Sequence, residues 1–380
     1  MKWKITLCEP DIGQEEIKAV TNVLKSKWLT MGEVTQRFER AFAEKLGVKY
    51  AFAVTNCTVA LHIANVALGI KSGDEVICPA LTFVATANAV CYTGADVIFV
   101  DSVSENDLTI NPEDIEAKIT KRTKAITIVH YAGFPCHMDK IIEIAKKHNL
   151  KIIEDCAHAP LAWWKFKDGT KKYVGSIGDI GCFSFFSNKN LITGEGGMIT
   201  TNSDELAEKI KLLRSHGMTT LTYDRHKGHA SGYDVVMLGY NYRIDEIRSA
   251  LGLVQLKKLE KNNQKRREIY IGYADAFKDN DNVIIPFTDR NLEQATPHIM
   301  PVIIKKNYQG IKQKLTNAGI QTSKHYDLIP TFTLYKGIRF KSKIKCIKNI
   351  LTLPMYPGMK TKKVEYVCKT VNKFKNKYSG

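Results

Sequence analysis

Four short stretches carry side chains that could do chemistry, and each falls where an apolar run gives way to a polar turn. In Cys182-Phe183-Ser184-Phe185-Phe186-Ser187-Asn188-Lys189, an aromatic strand delivers one lysine, followed by a turn holding Gly194, Gly196 and Gly197. Lys189 has no charged neighbour until Glu195. An amine stripped of water has a lowered pKa, the condition for Schiff-base chemistry; the plainer alternative is an exposed loop lysine. In Ile152-Ile153-Glu154-Asp155-Cys156-Ala157-His158, an apolar run ends on Asp155 among small residues. A half-buried carboxylate there needs a cation or hydrogen-bond donors, or its pKa rises, although a turn or cap aspartate fits as well. Val54-Thr55-Asn56-Cys57-Thr58-Val59-Ala60 reads as a strand end followed by a helix from about Thr58. Free N–H groups at such a helix start form a phosphate cup, while threonine is also an ordinary N-cap. The fourth stretch, Gly239 to Glu246, alternates Tyr240, Asn241, Tyr242 and Arg243, and reads equally as a solvated capping segment.

Taken together, these residues match the needs of pyridoxal 5′-phosphate (PLP). That cofactor takes a lysine for its Schiff base and a carboxylate that keeps its pyridinium nitrogen protonated. It also takes a helix N-terminus for its phosphate and an apolar cover for its ring.

The elements that must position these residues alternate in type. Apolar, β-rich runs lie at Tyr50–Val54, Glu75–Cys78, Val97–Val100, Ala125–His130, Lys151–Glu154 and Gly181–Phe185. Helical patterns at Thr58–Leu68, Pro112–Ile119 and Met138–His148 separate several of them. Such alternation predicts an α/β fold with a largely parallel sheet between helices, and ligands of such sheets collect at the strands' C-terminal ends. A long charged helix at Asp245–Tyr270 precedes short strands (His298–Ile304) and helices (Gln309–Ala318, Lys362–Lys373). The boundary is therefore set near 250, giving a large domain over 1–250 and a small one over 251–380.

The chain has 380 residues, with Lys+Arg 56 against Asp+Glu 39 and a formal charge of +17. Residues 1–250 hold 30 side chains of each sign, and residues 251–380 hold 26 basic and 9 acidic, so the whole excess lies in the last third. A cationic chain raises nucleic acid as a partner, but the one basic run, at 336–348, has no recognition motif beside it. No run approaches the roughly 18 apolar residues of a membrane span. Nine cysteines stand singly, at 8, 57, 78, 91, 136, 156, 182, 346 and 368. Neither a metal site nor a disulfide framework is expected from them, and a cytoplasmic setting is.

The run CFSFFSNKNLITGEGGMITT resembles the lysine motif of the DegT/DnrJ/StrS aminotransferases. The similarity continues in order through WLTMGEVTQRFERAFAEKLG, PALTFVATANAV, VHYAGFPCHMDKI, EDCAHAP, LRSHGM, LGYNYRIDEIRSALGLVQLKKL, GIQTSKHY and LTLPMYPGM. The resemblance implies the PLP fold type I, aspartate-aminotransferase-like. It implies that Lys189 forms the aldimine and then shuttles the proton, and that Asp155 pairs with the pyridinium nitrogen. His158 would lie near the cofactor's 3-hydroxyl oxygen, and Phe83 would stack on the ring. Ser184 and the backbone at Thr58 and Val59 would hold the phosphate. Asn241 would reach the phosphate of a neighbouring subunit, which makes a homodimer with shared active sites the expected partner arrangement.

The same resemblance implies transfer of an amino group from L-glutamate, through pyridoxamine phosphate, to a keto-sugar, most often nucleotide-linked. Arg225, Lys227 and His229 are candidates for the substrate's phosphates, with an exposed charged loop as the alternative. His325 and Tyr326 would face the site from the small domain. A small phosphorylated ketose such as dihydroxyacetone phosphate would use the same cations. A PLP-binding regulator without catalysis and a nucleic-acid-binding protein are the remote alternatives.

Overall fold

Strands covered on both faces lose the apolar-polar alternation of a half-exposed sheet, and the runs picked out above are of that kind. The computed structural model describes residues 3–220, 223, 226–228, 231–338 and 340–373. Its main sheet has seven strands: β1 (Tyr50–Val54), β2 (Glu75–Pro79), β3 (Asp96–Val100), β4 (Thr123–Val129), β5 (Lys151–Asp155), β8 (Ile180–Ser184) and β9 (Gly197–Thr201). The spatial order is β1-β9-β8-β5-β4-β2-β3. Strand β9 runs antiparallel to both of its neighbours, and the remaining pairings are parallel. The sequence reading did not separate β9 from the glycine turn before it. A short hairpin, β6 (Trp163–Lys165) with β7 (Lys171–Tyr173), leaves the sheet after β5.

Helices α3 (Cys57–Ala67), α4 (Ala85–Cys91), α5 (Pro112–Ala117), α6 (Met138–Lys147) and α7 (Asp204–Arg214) connect these strands, and α1 (Gln14–Ser26) and α2 (Glu33–Leu46) precede them. Their starts follow local chemistry. Asn111 caps α5 ahead of Pro112, and the Ser203 hydroxyl accepts from Leu206 N–H. Each cap satisfies N–H groups that have no partner within the helix. Helix α3 is capped by Asn56, whose side chain accepts from Val59 N–H, so it begins one residue before the expected Thr58.

The long charged helix is α8 (Glu246–Phe277), 32 residues and about 48 Å at 1.5 Å per residue. It shows no single apolar stripe because the face it buries changes along its length. Near its start Gln255 and Lys258 bind Glu16 of α1. Near its end Tyr273 donates to the carbonyl of Pro354. Beyond it lie β10 (Val283–Ile284), β11 (Met300–Ile304) and β12 (Ile350–Leu353), an antiparallel sheet flanked by α9 (Tyr308–Asn317) and α10 (Thr361–Asn372). The core under this sheet also takes in Ile5, Leu81, Tyr131 and Phe134. Residues near the chain's start run beside Gly319 to Gln321, with Ile5 bridging Ile320.

Candidate active site

The C-terminal ends of β1, β5 and β8 open into one cavity of about 420 Å³. Thr58, Phe83, Asp155, His158, Ser184, Lys189, His325 and Tyr326, all singled out from sequence, line it. A wider surface groove of about 850 Å³ lies beside Asp139 and Asp179, but neither Lys189 nor Asp155 borders it.

Asp155 closes β5 with its carboxylate turned into this cavity. One oxygen accepts the N–H of Ala157 at 3.1 Å, and the other accepts the Thr86 hydroxyl at 2.9 Å. Since Thr86 spends its proton on Asp155, Thr82 must donate to Thr86, at 2.9 Å. Burial raises the carboxyl's pKa, and the two hydrogen bonds and the charge of Lys189 oppose that rise. Thr86 went unnoticed in the sequence, although its place one turn after Thr82 beside the end of β2 was a signal.

The preceding residue, Glu154, points to the other face, as successive strand residues do. Its carboxylate is fully buried and takes three donors: Ile177 N–H at 2.8 Å, Gly178 N–H at 2.6 Å and His130 Nε2 at 3.0 Å. Cys136 N–H donates to His130 Nδ1, which leaves Nε2 to carry the proton. By type and proximity His130, Glu154 and Cys156 form a ligand set, but these hydrogen bonds already engage both histidine nitrogens and both carboxylate oxygens.

Lys189 sits in the turn after β8, where its N–H bonds the Phe186 carbonyl at 2.9 Å. Burial lowers its pKa from 10.5 to about 8, while Asp155 and Cys57 hold it up. Its amine has one hydrogen-bond partner among the described residues, His298 Nε2 at 3.4 Å. In the cofactor-free protein, Lys189 should therefore become reactive near pH 8. Trace labelling with acetic anhydride across a pH series, read by peptide mass spectrometry, measures that midpoint. A value at the ordinary 10.5 would contradict the burial argument.

Three imidazoles surround this amine. His158 Nδ1 accepts the Ala132 N–H at 3.2 Å, so Nε2 donates to the Tyr326 hydroxyl at 3.0 Å. His325 Nδ1 bonds the Thr352 hydroxyl at 2.9 Å. Burial and then the charge of Lys189 lower all three pKa values, with His325 reaching about 4. At neutral pH the amine therefore stands among uncharged rings.

The phosphate cup differs in one detail from expectation. Val59 N–H is taken by Asn56 at 3.0 Å, and Val59 does not border the cavity. The first two N–H groups of α3, at Cys57 and Thr58, have no partner among the described residues. Ser184 faces the same space. Gly197 makes the cup possible, since a Cβ there would come within 2.7 Å of the Asn56 carbonyl carbon.

Phe83 is half-exposed at the rim, its ring 5.8 Å from that of Tyr326. Asn241 is exposed, bridges Ser215, and does not line the cavity of its own chain. Lys227 is exposed beside the Tyr223 ring and away from the cavity, while Arg225 and His229 lie outside the described residues.

An amine able to be neutral near pH 8 and a carboxylate sheltered from water meet the two main demands that PLP makes of a protein. The unfilled N–H groups on α3 meet the third, and this parallel-sheet fold is that of the PLP-dependent aminotransferases. The chain belongs to the DegT/DnrJ/EryC1/StrS aminotransferase family, whose model matches residues 10–372. It is 40% identical over 375 residues to the spore coat polysaccharide biosynthesis protein SpsC of Bacillus subtilis, covering 95% of each chain. It is 37% identical over 382 residues to GDP-perosamine synthase of Escherichia coli O157:H7, covering 98% of this chain and 99% of the relative. The solved PLP and PMP forms of the Streptococcus pneumoniae protein Spr1654, described as a sugar aminotransferase, superpose with a TM-score of 0.87 at 26% identity, covering 98% of both chains. The protein is a PLP-dependent aminotransferase. Among the described residues, no helix is long and apolar enough to cross a membrane.

Proposed function

We propose that this enzyme transfers the amino group of L-glutamate to a keto-sugar carried on a nucleotide. The observation that supports it most is the full-length likeness to GDP-perosamine synthase in a chain whose cavity brings Lys189 and Asp155 together. Bound in this cavity, PLP supplies the carbonyl that captures the amino group and a ring that accepts the electrons released at the donor's Cα. The chain's own residues do the rest. Lys189 Nζ would take the proton from the donor's Cα and deliver it to the cofactor's C4′, and would run the same transfer in reverse for the acceptor. Asp155 would pair with the ring nitrogen and keep it protonated. Thr58, Ser184 and the free N–H groups of Cys57 and Thr58 hold the phosphate, and Val59 drops out because Asn56 occupies its N–H. Phe83 would cover the ring, and His158 would lie near its 3-hydroxyl oxygen. His325 and Tyr326 border the space left for the acceptor.

The test is a steady-state assay with L-glutamate and a panel of keto-sugar nucleotides that also includes dihydroxyacetone phosphate. Release of 2-oxoglutarate with a keto-sugar nucleotide is the expected result. Release with dihydroxyacetone phosphate alone would overturn the sugar assignment.

The enzyme is proposed to work as a homodimer. Val235, Val236 and Leu238 are exposed, Leu238 by 85%, in the segment just before Asn241. Phe83 and Phe186 are exposed at the cavity itself. A monomer would leave this apolar surface in water, and pairing two copies would cover it while carrying Asn241 toward the partner's phosphate. The prediction is complementation. Lys189→Ala and Asn241→Asp are each expected to be inactive, and unfolding and refolding them together should restore about a quarter of wild-type activity, because half of the dimers then hold one complete site. No recovery on mixing would count against shared sites.

A further inference from the structure

Behind the active-site lysine runs a chain of side chains that the proposed reaction has not used. Asn263 on α8 donates through Nδ2 to the Pro160 carbonyl at 3.1 Å, so its Oδ1 is left to accept. Asn190 donates through Nδ2 to that oxygen at 2.9 Å and to the Thr296 carbonyl at 3.0 Å. Carbonyl oxygens only accept, so the orientation of both amides is settled. Asn190 Oδ1 consequently faces His298 Nδ1 at 3.2 Å as an acceptor, and Nδ1 must carry the proton. The remaining nitrogen, Nε2, offers its lone pair to Lys189 Nζ at 3.4 Å. Asn190, Asn263 and His298 are all buried.

We infer that His298 is a positioning residue for Lys189: its acceptor nitrogen, fixed through Asn190 and Asn263, holds the lysine amine on its path to the reacting carbon. His298 does not border the main cavity, so it acts only through the lysine. The tether matters because Lys189 borders two spaces. One is the main cavity. The other is a narrow void of about 10 Å³ on its far side, edged by Cys8, Asp11 and Asn188. An amine released from His298 would have both spaces to sample, and only the main cavity would hold the carbon whose proton it must move. Misplacement by about 1 Å costs on the order of 100-fold in rate.

The groups that set the titration of this pair come from several elements. Asp155 on β5 and Cys57 on α3 face Lys189. Lys189 itself, His158 after β5, Arg266 on α8 and His325 face His298. Only Asp155 and the two cations carry charge at neutral pH, and both cations oppose protonation of His298. An imidazole that accepts from an ammonium favours the charged amine, so removing it lowers the lysine's pKa further.

This inference rests on Lys189 being the proton-transfer lysine. Its test compares His298→Asn with His298→Gln. Asparagine keeps a partner for Asn190 but is too short to reach the amine, whereas glutamine places an oxygen where Nε2 stood. For His298→Asn, kcat should fall about 10- to 100-fold while the KM for L-glutamate stays within about twofold. In the cofactor-free full chain, the acetic anhydride labelling midpoint of Lys189 should drop below its wild-type value near 8. His298→Gln should restore both. If the asparagine variant matches wild type in kcat and midpoint, or if glutamine does no better than asparagine, the inference is overturned. The labelling experiment needs no substrate or cofactor, so it stands apart from the sugar assignment, which fails instead in the acceptor assay.

Discussion

Lys189→Ala is expected to abolish turnover, by at least about 10⁴-fold, and to leave the cofactor removable by dialysis. Two effects combine in that loss. The variant has no amine to anchor the cofactor covalently, and none to move the proton from the donor's Cα. The setting at Lys189 explains why no neighbour substitutes for it: His158, His298 and His325 are uncharged bases held by Ala132, Asn190 and Thr352. The measurement is the visible absorption band of purified protein before and after dialysis, with 2-oxoglutarate release as the rate. Small primary amines added to the medium should return a fraction of the activity, because the cavity is open enough to admit them. Unchanged turnover in the variant would remove Lys189 from the mechanism.

Asp155→Asn should lower kcat about 10³-fold while the cofactor stays bound. Asparagine can still accept from Ala157 N–H or from Thr86, so the loop after β5 keeps its shape. It cannot hold a proton on the ring nitrogen, because it brings no negative charge. A second readout follows from the sign of the coupling. Asp155 opposes the fall in the lysine's pKa, so in the cofactor-free variant Lys189 should label at lower pH than in wild type. The rate drops while the amine becomes easier to deprotonate, a combination that general unfolding does not give. A wild-type rate would exclude Asp155 from the role proposed for it.

Much of this site was legible in the sequence because a parallel sheet collects its ligand groups at strand ends. Asp155, Lys189 and the start of α3 each follow an apolar run directly, so locating the strands located them. Helix α3 starts one residue before the expected Thr58, since Asn and Thr both cap helices and only the hydrogen bond from Val59 N–H to Asn56 identifies the cap. Strand β9 was hidden because its five residues, Gly-Met-Ile-Thr-Thr, hold only two apolar side chains and follow the glycine turn without a break. His298 had no local signature. It lies 109 residues beyond Lys189 and reaches it only because the C-terminal sheet packs against Tyr131, Ala132 and Phe134. Arg225, Lys227 and His229 looked like phosphate ligands by type alone. Lys227 stands away from the cavity of its own chain.

The two carboxylates at the end of β5 have a consequence for how the chain folds. Glu154 and Asp155 are adjacent, equally charged and turned to opposite faces, with Glu154 opposite Ile128 and Asp155 opposite Val129 in the ladder with β4. Slipping β5 by one position would turn each of them to the opposite face. A slip in one direction would set Asp155 against the donors of Ile177, Gly178 and His130 on a shorter stem, and a slip in the other would carry Glu154 into the cavity with an extra methylene. Both anions would lose their fitted partners at once. The demands of the chemistry and of the fold thus select the same strand alignment, and a misaligned molecule would be neither stable nor active.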